Sequence, residues 1–146
     1  MDGFIVIYVA AGSAQEAEQV AQALVREKLA ACVNRIHSVR SVYRWQGEVE
    51  QSDEELLIIK TRKELFSAVE KRVRELHSYS VPEIIALPII AGSAAYLDWV
   101  RDQVGNNSVA AGDDVRTVRE VSAGGVIYRK NSEDYQIALI HVPNRG

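Results

Sequence analysis

The residues best suited to chemistry lie on either side of one turn. His77 ends a predicted helix, and Glu83 follows Pro82 beyond it. A neutral imidazole with a carboxylate suits zinc or copper, so His77 and Glu83 are a candidate site for a divalent cation. In the alternative, His77 caps its helix and Glu83 pairs with Lys60 or Arg74. Two ligands are too few to complete a tetrahedral metal site, which favours the structural alternative.

A second candidate site is the segment Lys60-Thr61-Arg62, where a strand is predicted to meet a helix. Free N–H groups at the start of a helix, flanked by basic side chains, can bind a phosphate or a carboxylate. In the alternative, this segment is simply a run of charged residues exposed to solvent. Several aromatic residues could form a stacking surface, but their alternation suits an oligomer interface better. These residues are Tyr43, Trp45, Tyr79, Tyr96 and Trp99.

The composition excludes several functional classes. The chain has 146 residues and a net charge of −3, so no basic field favours nucleic acid or an anionic membrane. Cys32 is the only cysteine, which excludes an intramolecular disulfide and a thiolate zinc cage within one chain. A structural role is expected for it. No apolar run approaches the roughly 20 residues that span a bilayer. A cytoplasmic location is the simplest expectation.

The first part of the chain predicts a strand, a helix and a long hairpin. A β-branched run predicts a buried strand over residues 4–10, and Ser13-Ala-Gln-Glu16 has the pattern of a capping box. Extended segments over residues 33–46 and 48–59 are joined by a turn at Gln46-Gly47, and the polar start of the second should project beyond the sheet. The helix between the first strand and the hairpin should bury one face. That face comprises Ala17, Val20, Ala21, Leu24, Val25 and Leu29.

The rest of this region predicts a second helix, a fourth strand and a short terminal helix. A capping box at residues 61–64 should open the second helix. A strand follows over residues 84–90, and Pro88 places it at an edge or a bulge. The terminal helix starts at Gly92-Ser93 and closes at Gly105. The order β-α-β-β-α-β is a ferredoxin-like α+β fold, whose uncovered apolar sheet face favours an oligomer. The second helix should bury Leu65, Phe66, Val69, Val73 and Leu76.

Residues 4–104 resemble the CutA family, the small trimeric proteins named for divalent-cation tolerance. The resemblance rests on Ser41-Val-Tyr-Arg-Trp-Gln-Gly-Glu48, Ile59-Lys-Thr61 and His77-Ser-Tyr-Ser-Val-Pro-Glu-Ile85, which occur in that order. It implies a PII-like homotrimer that acts in the response to metal ions, with no established catalytic reaction. It also implies an inter-subunit cleft that binds a small anion or a metal, for which Lys60 and Tyr79 are the candidate ligand-binding residues.

The chain departs from the ligand set of the enteric bacterial members of that family. Those proteins offer a cysteine, a histidine and a glutamate as candidate metal ligands. Here the first two positions correspond to Val9 and Leu76, and Glu83 alone matches. His77 corresponds to a neighbouring histidine of the family. A copper site of the enteric kind is therefore not expected.

The segment after Gly105 has a different character. We predict a CutA-like domain over residues 1–105, a linker over 106–119 and a β-hairpin tail over 120–146. The tail is similar to the first strands of Nudix hydrolases. The glutamate box that Nudix catalysis requires is absent from the sequence, so no enzymatic activity is expected. Two alternatives remain open: a truncated CutA–Nudix hydrolase fusion, and a small-molecule sensor that binds an anion or nucleotide in the inter-subunit cleft.

Overall fold

A computed structural model describes residues 3–105 and the backbone of two further strands. The elements follow the predicted order and add a short 3-10 turn at Lys63–Leu65. They are β1 (Phe4–Ala11), α1 (Ala14–Arg26), β2 (Cys32–Trp45), β3 (Glu48–Arg62), α2 (Phe66–Leu76), β4 (Ile84–Pro88), α3 (Ala94–Gln103), β5 (Gly125–Lys130) and β6 (Gln136–His141). This is the predicted α+β arrangement.

Strands β1 to β4 form one antiparallel sheet in the order β2-β3-β1-β4. The register of β1 against β3 stops at Glu55, so the preceding residues of β3 pair only with β2. Residues 39–54 therefore form a two-stranded hairpin, here called the arm, that extends beyond β1, as predicted. Positive φ angles at Gln46 (49°) and Gly47 (82°) make its tight turn.

The core lies between one face of the sheet and helices α1 and α2. Its largest fully buried side chains include Ile7 and Val9 from β1 and Leu57 and Ile59 from β3. Helix α1 buries the predicted face with one exception. Val25 is 42% exposed because it lies about 100° around the helix from buried Leu24. Leu29, beyond the end of the helix, packs against the core while partly exposed.

The capping box predicted for the second helix is wrong. β3 continues to Arg62, and Thr61 extends the inward-facing row of Leu57 and Ile59. The buried Thr61 hydroxyl therefore donates to the carbonyl of Leu29 at 2.6 Å and caps no helix. Helix α2 begins only at Phe66, after the 3-10 turn, with no side-chain cap. Its predicted stripe does pack on the core, with Val69 and Val73 fully buried and Leu65, Phe66 and Leu76 partly exposed.

The opposite face of the sheet is only partly covered. Helix α3 packs Val100 against Phe4 and Ala31, and the chain leaves this helix through Gly105 at a φ of 86°. Ser93 precedes α3 but makes no capping hydrogen bond with its side chain. β4 is an edge strand, as its proline predicts, although it ends at Pro88 and does not reach residue 90.

The chain divides into two compact units, Met1–Ala111 and Gly112–Gly146. In the second unit, β5 and β6 pair antiparallel, with Gly125 opposite His141, which agrees with the hairpin expected there. The proposed linker over residues 106–119 lies outside the described residues. The domain boundaries and the Nudix resemblance of the tail therefore stay predictions. No helix among the described residues is long and apolar enough to cross a membrane.

Candidate functional site

The ring of His77 is fully buried at the end of α2, and both of its nitrogens are engaged. Nε2 lies 2.7 Å from the carbonyl of Ala10, and Nδ1 lies 3.0 Å from the backbone nitrogen of Tyr79. A carbonyl can only accept and a backbone N–H can only donate, so the ring is neutral with its proton on Nε2. A metal at either nitrogen would have to displace a backbone hydrogen bond.

Glu83 lies on the exposed side of the same turn. The predicted pairing with Arg74 does not form, because Arg74 faces Glu70 at 3.9 Å. Within the described residues, no group of three or more His, Cys, Asp or Glu side chains is placed to hold a metal ion. The site at His77 and Glu83 stays a prediction, and the observed role of His77 is to fasten residues 77–83, here called the corner, to β1.

Glu16 fastens the corner to the start of α1. Its carboxylate accepts the N–H groups of Ser78 at 2.5 Å and of Gly12 at 3.2 Å, while its own N–H donates to the Ser13 hydroxyl at 3.1 Å. The serine cap is thus confirmed, although the carboxylate reaches Gly12 and not Ser13. Burial would raise the pKa of Glu16, but the hydrogen bonds from Ser78 and Gly12 hold that pKa below its ordinary value.

Tyr79 joins the corner to the base of the arm. Its hydroxyl donates to a carboxylate oxygen of Glu54 at 3.2 Å. Burial, followed by the negative charge of Glu54, raises the pKa of the Tyr79 phenol to about 12. The phenol lies so close to Gly12 that a Cβ there would be 2.8 Å from the Tyr79 oxygen. Glycine is therefore required at this contact for steric reasons.

The predicted ligand-binding residues Lys60 and Tyr79 are not brought together within one chain. Lys60 is half-buried at the far end of β3, opposite Val6 and Cys32. It follows Glu54, the partner of Tyr79, by six residues, or about 20 Å of extended strand. A site that uses both residues would need two subunits, as the inter-subunit prediction requires.

A groove of about 600 Å³ lies where the arm leaves the sheet. Beneath it, the carboxylate of Glu55 is buried and accepts two hydrogen bonds from Arg35, at 3.0 and 3.2 Å. Nδ1 of His37 lies 2.5 Å from the same carboxylate. Burial would raise the pKa of Glu55, but hydrogen bonds from Arg35 and His37 and the charge of Arg35 hold that pKa below its ordinary value. The lining residues are Gly12, Ser13, Ala14, His37, Ser38, Arg40, Asp53, Glu54 and Glu55.

Sequence reasoning missed His37. The register of β2 against β3 shifts between Ile36 and Val39, and Ser38 within that bulge has a φ of 60°. Such a bulge re-aims side chains at the rim of a sheet. The nearby sequence has no glycine or proline that would have indicated the bulge.

Comparison with known proteins identifies the family. The family model described as "CutA1 divalent ion tolerance protein" matches residues 5–103. The chain belongs to the CutA1 family.

Several CutA relatives share the sequence and the fold. The divalent-cation tolerance protein CutA of Thermus thermophilus is 48% identical over 100 residues, covering 68% of this chain and 97% of that protein. A solved structure of the Thermus thermophilus protein superposes with a TM-score of 0.68 at 47% identity, covering 72% of this chain and all of that one. The chloroplastic CutA of Arabidopsis thaliana is 46% identical over 102 residues, covering 70% of this chain and 56% of that protein. The structure of a CutA protein from Archaeoglobus fulgidus, described as periplasmic, has a TM-score of 0.67 at 42% identity and covers 72% of this chain and all of that one.

A large apolar surface remains exposed on this CutA1 chain. Part of it lies on the arm and part on the corner and β4, and the aromatic residues predicted to form an interface contribute to it. The exposed large apolar residues at and near these elements are Ile36, Val42, Tyr43, Trp45, Val49, Tyr79, Val81, Ile85, Leu87 and Ile90. Exposed apolar surface that extends over several elements is typical of a protein that associates.

Proposed function

We propose that this protein is a homotrimeric CutA-family binding protein that acts in the response to divalent metal ions, without a catalytic reaction of its own. The match to the family model over residues 5–103 carries the proposal. Relatives in Thermus thermophilus and Archaeoglobus fulgidus are named divalent-cation tolerance proteins. The bound species would be a divalent cation, copper or zinc, or a small anion. A cytoplasmic location stays a prediction, because relatives are described as chloroplastic and periplasmic.

Self-association is supported by the two edges of the sheet. β2 and β4 are the outer strands of the order β2-β3-β1-β4, so each presents backbone groups on its outer side to a potential partner. β2 is 14 residues long, and a long exposed edge promotes pairing with another chain. On β4, Ile85 and Leu87 are 49% and 43% exposed. A second copy of the chain would cover both features, and the number of three subunits rests on the resemblance to CutA proteins.

The oligomer is tested by light scattering on the full chain and on a pair of matched variants. Ile85→Glu puts a charge on the exposed face of the edge strand and is expected to reduce the mass from that of a trimer to that of a monomer. Val25→Glu introduces the same charge at a position of similar exposure on α1. It is expected to leave the mass unchanged. A wild-type monomer at micromolar concentration would refute the trimer.

The ligand is tested by calorimetric titration of the full chain with Cu²⁺, Zn²⁺ and a panel of small anions. Saturable binding of Cu²⁺ or Zn²⁺ supports a direct role with metal ions. If that binding is lost in both Glu83→Ala and His77→Gln, the predicted corner site is correct. Glutamine can retain the donor to the Ala10 carbonyl while removing the imidazole. A trimer that binds neither cation would contradict the metal-binding role.

A second candidate function is that of a small-molecule sensor in an inter-subunit cleft. Such a site would need two subunits, because Lys60 and Tyr79 lie far apart within one chain. The ammonium group of Lys60 also has no carboxylate partner among residues 3–105. Thermal stabilisation by nucleotides but not by metals would support this function, and loss of that effect in Lys60→Met would locate the site.

A further inference from the structure

His37 differs from His77 in that only one of its ring nitrogens is engaged. Nδ1 lies 2.5 Å from a carboxylate oxygen of Glu55, while the side chain is 67% exposed. Among the described residues, no polar atom contacts Nε2 of His37. Because an ionised carboxylate only accepts, the proton of the neutral ring lies on Nδ1. The lone pair on Nε2 is therefore available to a ligand.

This geometry is the one found at histidines that bind metals. A metal-ligating histidine commonly donates its other ring N–H to a carboxylate, which sets the tautomer and the ring orientation and makes the ligating nitrogen more basic. Glu55 is in turn positioned by the two hydrogen bonds from Arg35. His77 has the opposite arrangement, since both of its nitrogens are committed to the backbone and its ring is buried.

The groove beside His37 also supplies oxygen ligands. Asp53 and Glu54 line it together with His37 and Glu55. Of the two arginines nearby, Arg35 is committed to Glu55 and to the carbonyl of Ala14. Arg40 pairs with Asp53 at 3.3 Å, but both side chains are more than two-thirds exposed.

The pairing of Arg40 with Asp53 should not prevent cation binding. Such a surface pair contributes little, so Asp53 can turn to another partner at small cost. Three carboxylates against two guanidinium groups leave the groove with a net negative charge, which favours a cation.

We propose that this groove binds a divalent transition-metal ion through Nε2 of His37, with Asp53 or Glu54 as a carboxylate ligand and Glu55 as the residue that positions the ring. This inference rests on the proposed function and moves its metal site from His77 to the base of the arm. Mixed imidazole and carboxylate ligands favour Cu²⁺ or Zn²⁺ over Mg²⁺. Because the described residues of one chain offer no group of three ligands, water or a second subunit would complete the coordination.

The test is titration of the full chain with Cu²⁺ alone, by calorimetry and by pulsed electron paramagnetic resonance, which detects the remote nitrogen of a bound imidazole. His37→Asn keeps an N–H donor at the position of Nδ1 and removes the ligating Nε2. It should lower the Cu²⁺ affinity at least tenfold and abolish the imidazole signal. Glu55→Gln should lower the affinity about 10- to 100-fold while the imidazole signal remains at saturation.

His141 provides the matched control. His141→Asn should retain the wild-type affinity and the imidazole signal, and circular dichroism is used to check that each variant is folded. Wild-type affinity in His37→Asn, or a tenfold loss in His141→Asn, would overturn the inference. So would Mg²⁺ competing equally with Cu²⁺, since that would indicate an acidic cluster without imidazole.

This outcome can be distinguished from failure of the proposed function. If the wild-type chain binds neither Cu²⁺ nor Zn²⁺, the metal-binding role fails together with the inference. If the chain binds Cu²⁺ but His37→Asn binds it equally well, the role stands and the inference alone is wrong.

Discussion

Replacing Glu16 with alanine should destabilise the fold, because this carboxylate holds the corner against the start of α1. It accepts two backbone hydrogen bonds, from Ser78 at 2.5 Å and from Gly12 at 3.2 Å. A hydrogen bond to a charged group contributes about 1.5–3 kcal/mol. Both donor residues are exposed, so water can replace part of what is lost. We therefore expect the free energy of unfolding to fall by about 2–3 kcal/mol per chain at neutral pH.

The effect of Glu16→Ala should depend on pH. Hydrogen bonding lowers the pKa of Glu16 in the folded state below its ordinary value of 4.5, despite the opposing effect of burial. Between the folded and unfolded pKa values, the unfolded chain binds the additional proton. The contribution of Glu16 is therefore fully present above about pH 5 and is lost as the pH falls through the lower, folded-state pKa.

The measurement is guanidinium unfolding of the wild type and the variant at neutral and strongly acidic pH. The protein concentration is held fixed, because self-association would stabilise the folded state by mass action. Glu18→Ala is the matched control. Glu18 lies on the same helix, is exposed, and accepts only from the Gln22 side chain at 3.1 Å. Glu18→Ala should lower the free energy of unfolding by less than about 0.5 kcal/mol. Equal losses for Glu16→Ala and Glu18→Ala, or a Glu16→Ala loss independent of pH, would refute the reasoning.

Three further predictions concern the core, a buried hydroxyl and the corner tyrosine. Leu57→Ala should lower the free energy of unfolding by about 2–5 kcal/mol, whereas Val25→Ala should stay within about 0.5 kcal/mol; equal effects would contradict the assigned burial. Thr61→Val leaves the buried carbonyl of Leu29 without the hydroxyl that donates to it at 2.6 Å, so the free energy of unfolding should fall by about 1–3 kcal/mol. In the same denaturation assay, Ser67→Ala at an exposed position should leave the free energy of unfolding almost unchanged. The Tyr79 phenol has a folded-state pKa of about 12 against an ordinary 10, so wild-type stability should decline as the pH rises between those values. The stability of Tyr79→Phe should decline less steeply over the same pH range. If the free energy of unfolding has the same slope against pH in both proteins, the raised pKa of Tyr79 is contradicted.

The order of the elements could be predicted because each element is specified by local periodicity and turn chemistry. The β-branched run of β1, the Gln46-Gly47 turn and the Ser13 cap each act within a few residues. Thr61 was misassigned because its surroundings come from distant segments. Thr61 fits a capping box by its spacing, but the row of buried residues in β3 continues through it, and the partner of its hydroxyl is a carbonyl 32 residues away.

The sequence by itself determined the family, the ferredoxin-like order of elements and the long projecting arm. Only the tertiary structure decided which histidine has a nitrogen available to a ligand. Both His37 and His77 carry the same chemical group, and a histidine followed by a proline turn is the more conspicuous pattern. The available nitrogen depends on what the ring touches: the carbonyl of Ala10 is 67 residues from His77 and the carboxylate of Glu55 is 18 residues from His37. Hydrogen bonds over such separations are set by packing and strand register, which no local pattern in the chain encodes.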